Sequence, residues 1–158
     1  MPDVPPDDAT APFVLSLDVG TSSLRAQVYD ARARSIHGYG EQKQYLARTT
    51  VDGGVEFDVP ELERLAYEAL DDVMGKMGEP AKRVGAVAMS TIWHSLLGVD
   101  ESHTPITPLF TWADTRSEAA VEELKRELDD ADVHRRTGCV LHTSYFPAKL
   151  RWLRQTRR

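Results

Sequence analysis

Leu17-Asp18-Val19-Gly20-Thr21-Ser22-Ser23-Leu24-Arg25 is the stretch on which the fold turns. Upstream, Phe13, Val14, Leu15 and Leu17 form an apolar run that stops abruptly at Asp18 and a cluster of turn-forming residues. A short apolar run bounded in this way reads as a buried strand entering a tight turn. Downstream, Leu24, Ala26 and Val28 alternate with Arg25, Gln27 and Tyr29 up to Asp30, the period of a strand with one covered face. The two arms predict a hairpin.

Outward from the hairpin, Ser35–Leu46 suggests a third strand, and Gly53-Gly54 marks a turn before Val55-Glu56-Phe57. Three antiparallel strands are expected to open the domain. Asp58, Pro60 and Glu61 then give a helix start, Asp58 capping the first turn and Glu61 reaching back. Leu62, Leu65, Ala66, Ala69, Leu70, Val73, Met74 and Met77 form one helical stripe that ends at Gly78 and Pro80. Val84–Met89 predicts a central strand and Ser95–Val99 another; Pro105 and Pro108 are incompatible with a central strand. Helices follow from about Ser117 to Leu128, with Ala120, Val121, Leu124 and Leu128 inward, and from about Pro147 onward, with Leu150 and Leu153 packed. This order predicts an α/β domain, a mixed sheet with helices packed on it.

A length of 158 residues suits one globular domain with a single core. With 41% hydrophobic and 28% charged residues, neither disorder nor a membrane protein is indicated, and no apolar run reaches the length of a membrane span. The net charge of −6 opposes general nucleic-acid binding, so a small-molecule partner is expected. Residues 1–12 hold three Asp and four Pro and read as a disordered acidic tail outside the fold. Cys139 is the single cysteine, which excludes an intramolecular disulfide, and no basic and apolar leader opens the chain; the cytoplasm is the expected compartment. No Gly-x-x-x-x-Gly-Lys-Ser/Thr sequence supports a P-loop.

Each polar residue of the Asp18–Arg25 turn has a chemical use. Gly20 lets the backbone turn tightly and approach a ligand, and Thr21 and Ser22 offer hydroxyl and N–H groups to phosphate oxygens. Asp18 can hold Mg²⁺ through water, and Arg25 can pair with phosphate charge. The same residues also make an ordinary hairpin turn, and pattern alone leaves both readings open. The order apolar residue, Asp, any residue, Gly, Thr, Ser resembles the first phosphate motif of the actin, heat-shock ATPase and sugar kinase superfamily, which implies a ribonuclease H-like, actin-like ATPase fold.

Two further blocks narrow the resemblance. Ala88–Asp100 contains Trp93 and His94, an indole face suited to the C–H face of a sugar and an imidazole suited to its hydroxyls. A core Trp and a satisfied loop His are the bland alternative. Thr111-Trp112-Ala113-Asp114-Thr115-Arg116-Ser117 offers Asp114 as an acceptor for sugar hydroxyls and Arg116 as a donor to them or as a lock on Asp114; Thr115 is well explained as a helix N-cap. Together with Arg136–Leu153, these blocks resemble the N-terminal domain of FGGY carbohydrate kinases, most closely the gluconokinase and xylulokinase branches. Trp93 departs from the methionine usual beside the family's histidine.

The resemblance implies ATP-dependent phosphorylation of a sugar or sugar acid hydroxyl. It assigns metal to Asp18, phosphate to Gly20, Thr21, Ser22 and Arg25, and substrate to Trp93, His94, Trp112, Asp114 and Arg116. It implies ATP and Mg²⁺ as cofactors. The general base and the adenosine pocket are expected beyond Arg158, in a missing C-terminal kinase domain, and this chain alone is expected to be inactive. A sugar-binding module without catalysis and an inactive truncated fragment are the alternatives. An uncovered apolar cleft wall also leads to the expectation of self-association into a homo-oligomer.

Overall fold

The computed structural model describes residues 3–156; the first two residues of the expected tail and the last two of the basic run at Lys149–Arg158 lie outside the described residues. Along the chain the elements are β1 (Asp3–Val4), β2 (Phe13–Val19), β3 (Ser23–Tyr29), β4 (Ser35–Gln44), β5 (Arg48–Thr49), β6 (Val55–Phe57), α1 (Val59–Met77), β7 (Val84–Ser90), β8 (Leu109–Phe110), α2 (Glu118–Glu127), α3 (Asp130–Thr137) and α4 (Phe146–Thr156). The expected mixed α/β fold is present. The expected single core is not: residues up to Leu46 together with Pro60–Ile92 form one compact unit, and Ala47–Val59 together with Trp93 onward form a second. The segment after β4 leaves the first sheet because its strands β5 and β6 pair with β8 instead.

The first unit is a five-stranded sheet in the order β1-β4-β3-β2-β7. β2 and β3 form the expected antiparallel hairpin, with Leu17 opposite Ala26 and Leu15 opposite Val28. These pairs share one face, and Leu15, Leu17, Leu24, Ala26 and Val28 are all buried. The covering element is α1, whose stripe buries Leu65, Ala69, Val73 and Met77, while Met74 at its edge stays partly exposed. Lys43 on β4 reaches Asp72 on α1 at 2.5 Å, and Lys76 donates to the Gly40 carbonyl at 3.2 Å.

Two expectations for this unit need correction. Residues 3–12 are part of the fold: β1 runs parallel to β4, with Val4 beside Ile36, and Val4 is buried. Pro5 and Pro6 follow β1 and open the short turn after it. Asp30 completes this arrangement. Its buried carboxylate accepts from the backbone N–H groups of Arg32 at 2.9 Å, Arg34 at 3.0 Å and Thr10 at 3.3 Å, and pairs with the Arg34 guanidinium at 2.6 Å. The second correction concerns β7, which lies at the sheet's edge and not at its centre. It runs parallel to β2, with Leu17 beside Met89 and Asp18 beside Ser90, and residues from Gly85 onward are exposed. Its apolar composition suits burial, but among the described residues no strand pairs beyond it.

The second unit pairs β5, β6 and β8 antiparallel, with Glu56 opposite Phe110. Ser95–Val99 yields only isolated bridges, Leu96 to Phe110 and Val99 to Pro105, since the prolines interrupt a continuous ladder. α2 buries Ala120, Val121 and Leu124 as expected, leaving Leu128 partly exposed. Val121 and Leu124 pack with Leu141, Ala148 and Val133. α3 was not anticipated: Asp129 caps it by accepting from Ala131 and Asp132, and Gly138 closes it at φ 74°. In α4 the inward residues are Ala148 and Lys149, while Leu150 is exposed. Trp152 stacks edge-on against Phe110 at 5.4 Å, and this contact, with the anchoring of Lys149, turns Leu150 outward. No helix among the described residues is long and apolar enough to cross a membrane.

The Arg34 guanidinium, aided by the backbone N–H groups, holds the Asp30 carboxyl well below the ordinary carboxylate range. A depressed folded-state pKa contributes stability that is complete above the unfolded value, about 3.9 for Asp, and is lost as pH falls through the folded one. Chemical denaturation of the wild type and Asp30→Asn is expected to show a clear loss of stability in the variant at neutral pH. The gap should narrow steadily below about pH 4.

Candidate functional site

The Asp18–Arg25 turn, expected to meet phosphate, belongs wholly to the first unit. Asp18, next to last in β2, lies directly beside Ser90 at the end of β7, so two parallel strands present their carboxyl ends together, the edge at which open α/β sheets bind ligands. Thr21 and Ser22 follow, both exposed, as is Asp18. The turn closes through Gly20 N–H donating to the Ser23 carbonyl at 2.9 Å, and a Cβ on Gly20 would meet that oxygen at 3.2 Å. Arg25, exposed on β3, pairs across the ladder with Asp18 and donates to Gln42 at 2.9 Å. Among the described residues no cluster of three or more His, Cys, Asp or Glu could hold a metal by itself. One carboxylate with neighbouring hydroxyls does fit Mg²⁺ that arrives bound to phosphates, since this ion keeps its waters and takes one or two protein carboxylates.

Tyr45 is a residue of this turn that the sequence reading missed. It is buried, its N–H donates to the Ser22 carbonyl at 3.1 Å, and its hydroxyl donates to the Gly20 carbonyl. Burial, with the Asp18 carboxylate adding to it, pushes the phenol above its ordinary value and keeps it a donor. The side chain is thus a clamp on the turn. Its signal in the sequence was only an aromatic residue at the end of a loosely patterned strand.

The residues assigned to a sugar belong to the second unit. Trp93 is 77% exposed, which removes the core reading. His94 has φ 58°, the left-handed region that is uncommon outside glycine and found at functional loops. Its ring meets Trp93 at 5.7 Å and Tyr145 at 4.9 Å, both edge-on, and Tyr145 meets His142 at 6.2 Å. Tyr145 and His142 were not singled out from the sequence; they lie in a block read only as resemblance. Ser144 links them to Trp112, its Oγ donating to the Trp112 carbonyl at 2.8 Å and its N–H donating to His142 Nδ1 at 3.2 Å. Trp112 itself is half exposed.

Asp114 and Arg116 take the second of their two expected roles. Arg116 locks Asp114: Nη2 reaches Oδ2 at 2.5 Å and Nε reaches the two carboxylate oxygens at 3.2 and 3.1 Å. The same Nη2 donates to Glu56 at 2.7 Å, and Asp114 also accepts from the N–H of Val55 at 3.2 Å and of Arg116 at 3.1 Å. Glu56 and Asp114 are buried. The guanidinium lies 5.2 Å from the Phe110 ring and 5.0 Å from the Trp152 ring, so cation–π attraction adds to the ion pairs. Hydrogen bonding to Asp114, joined by Glu56 and opposed by burial, pushes Arg116 above its already high ordinary value. Gly54 makes room for it: a Cβ there would fall 2.7 Å from Arg116 Cζ. Thr115 does not cap α2; its hydroxyl and N–H both donate to the Gly53 carbonyl.

Residues 13–158 match the profile described as the FGGY family of carbohydrate kinases, N-terminal domain. The chain is 28% identical over 148 residues to gluconokinase from Bacillus subtilis (strain 168), covering 92% of this chain and 28% of that protein. It is 31% identical over 148 residues to autoinducer-2 kinase from Salmonella choleraesuis (strain SC-B67), covering 89% and 27%. The gluconate kinase structure from Lactobacillus acidophilus superposes with TM-score 0.80 at 25% identity over 92% of this chain and 28% of that one. The xylulose kinase structure from Rhodospirillum rubrum, at 23% identity, shares the fold with TM-score 0.85 over 92% of this chain and 29% of that one. The chain thus spans under a third of these relatives, and over residues 13–158 it belongs to the FGGY family of carbohydrate kinases.

Proposed function

We propose that this chain supplies the phosphate- and sugar-binding N-terminal part of an ATP-dependent kinase acting on a hydroxyl of a sugar or sugar acid, gluconate-like or xylulose-like. The observation that carries this reading is the Gly20-Thr21-Ser22 turn, exposed at Thr21 and Ser22, standing beyond the paired carboxyl ends of β2 and β7, with Asp18 at its base. Mg-ATP, when bound, supplies the terminal phosphate for transfer. Asp18 would hold the metal through water, while Gly20, Thr21, Ser22 and Arg25 would meet phosphate oxygens. Trp93, His94 and Trp112, with Tyr145 and His142, would line the sugar, and Asp114 and Arg116 would shape the site from beneath. The partner is a small molecule, and the further kinase domain would bring the general base and the adenosine pocket. The need for ATP agrees with a cytoplasmic reaction.

A second reading is a sugar-binding module without catalysis. In either reading Asp114 is withdrawn from service as a base, since both its oxygens are engaged by Arg116 and the Val55 N–H. Calorimetry of this chain with D-gluconate, D-xylulose and Mg-ATP, beside an ATP-hydrolysis assay, separates the two: binding of Mg-ATP as well as sugar is expected of the first, binding of sugar alone of the second. Sugar binding without turnover is expected of the chain alone, whereas sugar-dependent turnover would require a base within residues 1–158. No binding of any sugar would remove the proposal.

Two substitutions test the division of roles. His94→Ala, at a half-buried loop position, should leave the fold intact and weaken sugar binding about tenfold, the weight of one good hydrogen bond. Arg116→Met should instead destabilise the second unit by about 3–5 kcal/mol, because Glu56 and Asp114 would be left buried without their cation. Urea denaturation read beside calorimetry distinguishes the two effects.

A further inference from the structure

Lys149 is 1% exposed, a burial that lysine almost never shows without a charged partner. Yet its ammonium is met by backbone carbonyls: Nζ donates to Thr111 O at 2.8 Å and to Asp114 O at 3.4 Å. These two carbonyls bound the turn that carries Trp112, and Thr111 O also accepts the N–H of Asp114 at 3.2 Å. Burial pushes the amine below its ordinary value, with Asp114 opposing that effect and Arg116 adding to it. An apolar side chain of the same length would fill the space without desolvating a charge. The ammonium therefore contributes something other than packing, and its contacts say what: it draws the carbonyls of the 111–114 turn together from α4.

The same residue is tied to the other side of the sugar cluster. Its N–H donates to the Tyr145 carbonyl at 3.4 Å, one helical turn from the ring that meets His94. We propose that Lys149 is a positioning residue for the sugar site, fixing the Trp112 turn relative to Tyr145 so that the two walls of the aromatic cluster hold one geometry. This inference rests on the reading of Trp112, His94 and Tyr145 as a sugar site.

The test uses the 158-residue chain with Lys149→Met, which keeps the stem and removes the charge, and Leu150→Ala at the exposed neighbouring position as a control. Amide hydrogen exchange at Thr111, Asp114 and Thr115 should quicken about tenfold or more in Lys149→Met while the α2 amides of Val121 and Leu124 stay protected. Calorimetry with D-gluconate and D-xylulose should show affinity weakened about tenfold in Lys149→Met and unchanged in Leu150→Ala. In the wild type, raising the pH until the ammonium is neutralised should loosen the same turn amides after correction for intrinsic exchange. Asp114 and Arg116 face the amine, Glu56 lies behind Arg116, and His142 and Tyr145 stand on the adjoining segment, so Lys149→Met supplies the pH baseline that should be flat. Turn exchange and affinity at wild-type levels in Lys149→Met would overturn the proposal, as would an affinity loss that merely tracks global unfolding. If Lys149→Met does not fold, the wild-type pH series decides, and an unresponsive turn overturns the proposal. A wild type that binds neither sugar removes the proposed function, while the exchange measurements still decide what Lys149 does to the turn.

Discussion

A guanidinium held between two carboxylates and two aromatic rings organises the second unit. Arg116 draws Glu56 from β6, Asp114 from the loop before α2, Phe110 from β8 and Trp152 from α4 to one point. Such a cluster is a poor source of net stability, since removing charges from water costs about as much as their attraction returns. It is a good source of register. A planar fork that must satisfy two acids at once permits few arrangements of the elements that carry them, and the glycine at position 54 is required because a side chain there would occupy the fork's own space.

The first unit relies on a different principle. Its hairpin is specified by alternation, with Leu15, Leu17, Leu24, Ala26 and Val28 on one buried face, and a one-residue slip would send all of them to the other. Buried charge enters at the β3–β4 connection, where Asp30 gathers three N–H groups and a guanidinium. The segment before β2 is recruited by this carboxylate through Thr10, and by the pairing of Val4 with Ile36.

Much of this was legible in the residues. Period-two and helical patterns located β2, β3, α1 and α2 closely, and the Asp18 turn and the His94 and Asp114 blocks carried the family. What escaped notice did so for identifiable reasons. α3 has few apolar residues and is defined by its ends, an Asp cap and a left-handed glycine, which a search for apolar stripes passes over. The inward face of α4 was misjudged because lysine counts as a surface residue, and only the converging carbonyls of Thr111 and Asp114 make Lys149 an inner one. The division into two units was hidden because Ala47–Val59 pairs with strands that lie far along the chain. Tyr45 was overlooked because its partners are backbone oxygens, which no side-chain pattern records.

The clamp formed by Tyr45 also sets the sign of what the turn can hold. The carbonyls of Gly20 and Ser22 accept from Tyr45, and that of Ser23 accepts from Gly20. With these oxygens engaged from within, the N–H and hydroxyl groups of Thr21 and Ser22 are left to meet an anion. Asp18 alone is too sparse a ligand set to retain a divalent ion. On the proposed function, metal and phosphate would therefore be selected as a unit, each supplying the contacts that the turn withholds from the other.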